Sequence, residues 1–214
     1  MTRRTMVPRA LLLAILALSA SSFAIPTIAN LEKRNVTQLD PAAFAEAHKR
    51  DDTATRAFSS VPIITSSGQC LFVDELSGDF RANLTPVQVT TCNGSPGQGW
   101  DVITSGEHDD QLGAMLVVST LTQACLNFDP RRAAGNQVIL FSCGGRADGS
   151  GTVTNSQLFS FNGSAGLPSL TPLNAPGTCM TIANGQKLDQ AACNTADVAQ
   201  SFTFGAASAT SSGT

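Results

Sequence analysis

Six cysteines, a single histidine after residue 50 and a scatter of carboxylates are what this sequence offers for chemistry. The cysteines are Cys70, Cys92, Cys125, Cys143, Cys179 and Cys193, an even set that suits disulfides in an oxidising compartment better than free thiols in the cytosol. His108-Asp109-Asp110 is the only compact group resembling metal ligands. Three adjacent residues seldom converge on one ion, so a polar turn is the better reading and no metal is expected. Paired carboxylates for glycoside cleavage could come from Asp74, Glu75, Asp101 or Asp129, but that chemistry needs one acid of raised pKa held at a set distance across a sugar. With no tyrosine, and no P-loop, nucleophile elbow or metalloprotease motif, no catalytic residue is assigned and no cofactor is implied. The chain reads as a binding protein rather than an enzyme.

Charge and targeting signals divide the chain. Residues 1–50 hold 7 of the 13 Lys+Arg and 3 of the 16 Asp+Glu, leaving 6 basic and 13 acidic side chains in 51–214, a formal charge of −7. Such a balance repels phosphate backbones, so nucleic acid is not expected as a partner. Arg3, Arg4 and Arg9 precede the apolar run Ala10 to Leu18, with small Ser22 and Ala24 at a cleavage point. That is the layout of a signal peptide over 1–24, too short to span a membrane, and it predicts secretion. Dibasic pairs Lys33-Arg34 and Lys49-Arg50 suggest a propeptide over 25–50, in which Asp40-Pro41 would cap a short helix. A linker is expected over 51–57, a folded domain over 58–206 and a small polar tail over 207–214. Sequons occur at Asn35, Asn83, Asn93 and Asn162, with a proline after the Asn83 and Asn93 triplets.

The first members of consecutive cysteine pairs recur after 55 and 54 residues, a period that invites a search for repeats. Cys70-Leu-Phe-Val, Cys125-Leu-Asn-Phe and Cys179-Met-Thr-Ile share the pattern Cys, apolar, variable, apolar. Apolar residues alternate before Cys92 and Cys143, as in half-buried strands, while before Cys193 Leu188 is followed by Gln190. After each second cysteine comes Gln-x-aromatic: Gln98-Gly-Trp100, Gln157-Leu-Phe159 and Gln200-Ser-Phe202. Helical periodicity is nearly absent from 60–206, and a unit of about 50 residues has too little apolar surface to form its own core. The expectation is therefore all-β, three units packed about a pseudo-threefold axis, with the aromatics as core anchors and each glutamine amide bonding local backbone. Fifteen disulfide pairings are possible, and the repeat favours Cys70 with Cys92, Cys125 with Cys143 and Cys179 with Cys193. Loops of these lengths stabilise by roughly 3 kcal/mol each on loop-closure entropy.

These motifs resemble the ricin B-type lectin family, a β-trefoil whose three units carry Q-x-W and often an internal disulfide. The likeness spans about Phe58 to Gly205, although only the first unit keeps tryptophan. The resemblance implies that a sugar-binding unit has aspartate two residues after its first cysteine, an aromatic two before its second and asparagine just before the glutamine. A carboxylate accepts from two sugar hydroxyls, a ring covers the C–H face and an amide fixes orientation. Here those positions hold Phe72, Asn127 and Thr181; then Thr90, Phe141 and Ala191; then Gly97, Ser156 and Ala199. Units one and three look empty. Unit two keeps a partial site, with Phe141 stacking, Asn127 and Asp129 bonding hydroxyls, and Asn155 and Gln157 close by. The long loop Gly144 to Ser156 would flank it. The reading that follows is a secreted, monomeric, noncatalytic protein binding galactose-type glycans or glycoproteins through one weak site. Its rival is a trefoil with decayed sugar sites whose loops engage a protein, as a protease inhibitor or secreted effector.

Overall fold

The computed structural model describes residues 35–167 and 169–205. The expected signal peptide, the Lys33-Arg34 pair and the tail after Gly205 lie outside the described residues. A strand β1 (Thr55–Val61) leads into repeat one: β2 (Ile63–Thr65), β3 (Cys70–Phe72), β4 (Gln88–Thr90) and β5 (Trp100–Ser105). Repeat two holds β6 (Ala114–Ser119), β7 (Cys125–Phe128), β8 (Val138–Phe141) and β9 (Phe159–Ser160). Repeat three holds β10 (Gly166–Leu167), β11 (Thr178–Ala183), β12 (Lys187–Ala192) and β13 (Phe202–Phe204). β1 starts inside the stretch expected to be a linker, because Arg56 and Phe58 already pair with Ile103 and Val102 of β5.

Each repeat supplies one antiparallel hairpin, and the three are in the same register. Cys70 faces Thr90, Cys125 faces Phe141 and Cys179 faces Ala191. The β11–β12 hairpin closes on Asn184 and Gly185, both at positive φ, with Gln186 N–H donating to the Ala183 oxygen. That is the turn whose twist matches paired strands, and Asn-Gly tolerates its left-handed backbone. All three expected disulfides are closed: Cys70 to Cys92, Cys125 to Cys143 and Cys179 to Cys193. In every repeat the second cysteine, whether Cys92, Cys143 or Cys193, stands just beyond the second strand of the hairpin and ties the start of the next loop back to the first strand.

The hairpins bury one face together. Leu71, Val87, Leu126, Leu140, Met180 and Leu188 from the three repeats share a core with Trp100, Phe159 and Phe202, each at most 2% exposed. Burial of such a side chain contributes roughly 1.5–3 kcal/mol, and no repeat could achieve it alone. Backbone bonds cross the seams: Leu140 N–H reaches the Thr85 oxygen at 2.7 Å, and Leu188 N–H the Val87 oxygen at 2.9 Å. The fold is a β-trefoil.

Residues 35–50 also pack on this body. α1 (Pro41–Ala47) is capped by the Asp40 carboxylate, which accepts from the Ala42 and Ala43 N–H groups at 3.0 Å. Ala47 and His48 are buried, and His48 Nε2–H donates to the Arg81 carbonyl oxygen at 2.6 Å. Burial holds the His48 pKa below its ordinary value, consistent with a neutral ring in that contact. Lys49 and Arg50 follow on exposed chain.

Candidate functional site

Strand alternation decides what repeat two shows to solvent. In the β7–β8 hairpin Leu126, Phe128, Val138 and Leu140 join the core, so Asn127, Ile139 and Phe141 share the opposite face. Above that face is a surface cavity of about 540 Å³. Asn127, Asp129, Phe141 and Asn155 all line it, so four of the five expected contacts come together. The long loop forms a wall through Gly144, Gly145, Thr154 and Ser156, and repeat three contributes Asn174.

Gln157 does not line this cavity. It is 1% exposed; its Oε1 accepts from Gly144 N–H at 2.8 Å and its Nε2 donates to the Ser142 oxygen at 3.0 Å. Gln98 and Gln200 clamp their own loops likewise, accepting from Asn93 and Asn194 N–H at 2.9 Å and donating to the Thr91 and Ala192 oxygens. The glutamine is thus a wall support in every repeat, because a buried amide must spend both ends. Asn83 also departs from expectation as a glycosylation site. It is fully buried, its Oδ1 accepting from Ser142 N–H at 2.7 Å and its Nδ2 donating to the Ala147 oxygen at 3.0 Å, which a glycan would break. Asn93 and Asn162 are exposed.

Polar groups around the cavity are partly engaged. Asn127 Oδ1 accepts from Ser156 Oγ at 2.9 Å, and Asn155 Oδ1 from Gln111 Nε2 at 2.9 Å. Asp129 is held by Arg131, whose Nε and Nη2 donate to its two oxygens at 2.9 and 3.1 Å. That clasp is the leading cause of an Asp129 pKa below the usual carboxylate range. The repeat pattern does not single out Arg131 and Arg132. Their only signal is position: both follow Asp129-Pro130 in the turn that starts beyond β7. Asn174 carries no local signal at all; its Nδ2 reaches the Phe128 oxygen across 46 residues of chain.

Repeats one and three lack this arrangement for visible reasons. In repeat one the Phe72 ring covers Gly97, where a Cβ would meet the Val73 carbonyl oxygen at 2.2 Å and the ring at 2.6 Å. In repeat three the equivalent residues are Thr181 and Ala191, and Gln190 Nε2 is tied to Gln137 Oε1 of repeat two at 3.1 Å. A second cavity of about 460 Å³ lies between Pro62, Cys92, Pro96 and Leu121, with neither an aromatic nor a charged side chain in its lining.

No protein-family model matches the chain, and no curated protein matches it in sequence. Solved structures do. ThreeFoil, a designed threefold-symmetric protein, is 16% identical with a TM-score of 0.52, covering 69% of this chain and 98% of that one. A mosquitocidal holotoxin is 13% identical with a TM-score of 0.52 over 71% of this chain, and an exo-β-1,3-galactanase from Clostridium thermocellum is 17% identical with a TM-score of 0.50 over 68%. The matched part spans only 17% of the toxin chain and 30% of the galactanase chain. Likeness at such identities shows the fold alone, and it is the trefoil that the hairpin registers already display.

His108-Asp109-Asp110 forms a turn between β5 and β6, where Gly106 and Asp109 bridge through N–H donation in both directions. Burial raises the Asp109 carboxyl above its ordinary pKa. Among the described residues no group of three His, Cys, Asp or Glu is placed to hold a metal, and no helix is long and apolar enough to cross a membrane.

Proposed function

We propose that this chain is a secreted, noncatalytic carbohydrate-binding protein of ricin B type, acting through one site in repeat two. The observation that carries the reading is that Phe141 and Asn127 share a walled cavity of about 540 Å³, whereas the same register positions elsewhere hold Thr90 with Phe72 and Ala191 with Thr181. A ring beside amide and hydroxyl groups is the arrangement that grips a pyranose, galactose-type sugars included. One ring and few hydrogen bonds give an affinity of roughly millimolar to micromolar. Three disulfides suit an oxidising compartment, and the exposed Lys49-Arg50 pair supports processing there.

The test is a glycan array followed by titration of each bound sugar into wild type and Phe141→Ala. Binding is expected to weaken by about tenfold or more, equivalent to ~1.4 kcal/mol. No sugar above background, or affinity indifferent to Phe141→Ala, rejects the reading. A loop-borne protein contact is favoured by one feature, the fully exposed Leu112 at the end of the β5–β6 hairpin. It would show as capture of a protease that survives Phe141→Ala and is lost in Leu112→Asp.

A further inference from the structure

Between residues 51 and 205 the protein carries 6 basic against 13 acidic side chains, yet two of those six, Arg131 and Arg132, line the cavity that contains Phe141. The lining has one carboxylate, Asp129, and it is paired. Both its oxygens are held by the Arg131 guanidinium, and Arg131 N–H donates to Oδ1 at 3.1 Å as well. An aspartate so clasped has fewer lone pairs left for sugar hydroxyls and repels an anion less than a lone carboxylate does. Arg132 is placed differently. It is half-buried, its Nε donates to the Asn136 carbonyl oxygen at 2.8 Å, and among the described residues it has no ion-pair partner within 4.0 Å. Its two terminal nitrogens, with Asn127 Nδ2 and Asn155 Nδ2, have no acceptor among the described residues, while the oxygens of both amides are already engaged. What faces the cavity is therefore donor-rich and carries a net positive charge, on a protein that is otherwise acidic.

We propose that the repeat-two site selects a pyranose bearing a carboxylate, with Phe141 under the ring and the Arg132 guanidinium on the acid group. This rests on the sugar-site reading and narrows it. A carboxylate needs donors only, and a planar guanidinium meets it with two parallel N–H groups. Arg131 takes the positioning role: it removes the Asp129 charge from the ligand's path.

The experiment titrates four probes into the full chain: a galacturonate oligosaccharide, its methyl ester, an N-acetylneuraminyl-lactose and a sulfated galactoside. Wild type, Arg132→Gln, Arg132→Lys and Phe141→Ala are compared. The free acid is expected to bind about tenfold tighter than the ester, with the preference falling as salt rises. Arg132→Gln should erase the preference and Arg132→Lys should restore part of it. Binding of the uronate or of the sialylated probe supports the proposal and says which source supplies the acid. Equal affinity for acid and ester, with Phe141→Ala still weakening both, overturns this inference and leaves the sugar site standing. A preference for the sulfated probe over both acids overturns the carboxylate assignment. Binding of no sugar by any variant defeats the sugar-site reading itself, and this proposal with it. The ester arm keeps the outcome readable should Arg132→Gln disturb the turn around Asn136.

Discussion

Repeats one and two have the same hairpin and different surfaces. Cys70 and Cys125 sit opposite Thr90 and Phe141, their disulfides to Cys92 and Cys143 close, and Gln98 and Gln157 clamp the following loops through equivalent bonds. Val73 N–H donates to the Gly97 oxygen just as Phe128 N–H donates to the Ser156 oxygen. The divergence begins one side chain away. In repeat one a phenylalanine fills the space over a glycine, whereas in repeat two a small amide bonds a serine hydroxyl and leaves a hollow. Parts that face the core are repeated, because the three copies must fit one another. Parts that face water are free to differ, and here repeat one places a ring where repeat two places an amide.

The largest test of that division targets what the repeats share. Trp100→Ala, Phe159→Ala and Phe202→Ala should each cost about 3–5 kcal/mol in denaturant unfolding, since all three rings are buried in one core. A Phe159→Ala variant as stable as wild type would show that repeat two does not take part in the common packing.

A smaller effect separates Gly97 from its counterpart Ser156. Gly97→Ala should destabilise by about 1–3 kcal/mol, because its Cβ meets the backbone oxygen of Val73 and the Phe72 ring at once. Ser156→Ala loses the hydroxyl bonds to Asn127 and Thr154 and should cost about 1 kcal/mol, a difference that chemical denaturation resolves.

The smallest effect concerns the clasp found in repeat two. The folded-state Asp129 pKa is depressed, so its contribution is present above the unfolded carboxylate pKa and is lost as pH falls through the folded value. Arg131 is largely solvated, which keeps the gain small. Wild type and Asp129→Asn should therefore differ in stability at neutral pH and converge in acid, read by thermal unfolding across that range.

Cysteine spacing together with Gln-x-aromatic marks the three units, the disulfides that end on Cys92, Cys143 and Cys193, and the core rings, because those residues answer to a constraint that recurs in the chain itself. The Asp40-Pro41 cap likewise announces α1. Proximity to Asn155 suggests Gln157 for the site, but its amide lies beneath the loop and is consumed by the wall. Asn83 matches a sequon, yet burial makes it a structural amide.

The order of residues by itself determined the all-β class, the threefold repetition and the phenylalanine-asparagine pair of the middle unit, since each is a matter of period and type within a short stretch. Only the tertiary structure decided that the Asn127 and Asn155 oxygens are already taken by Ser156 and Gln111, and that Asn174 closes the cavity from another repeat. Which groups remain free for a ligand depends on every neighbour that could satisfy them first, and those neighbours are brought together by packing rather than by adjacency along the chain.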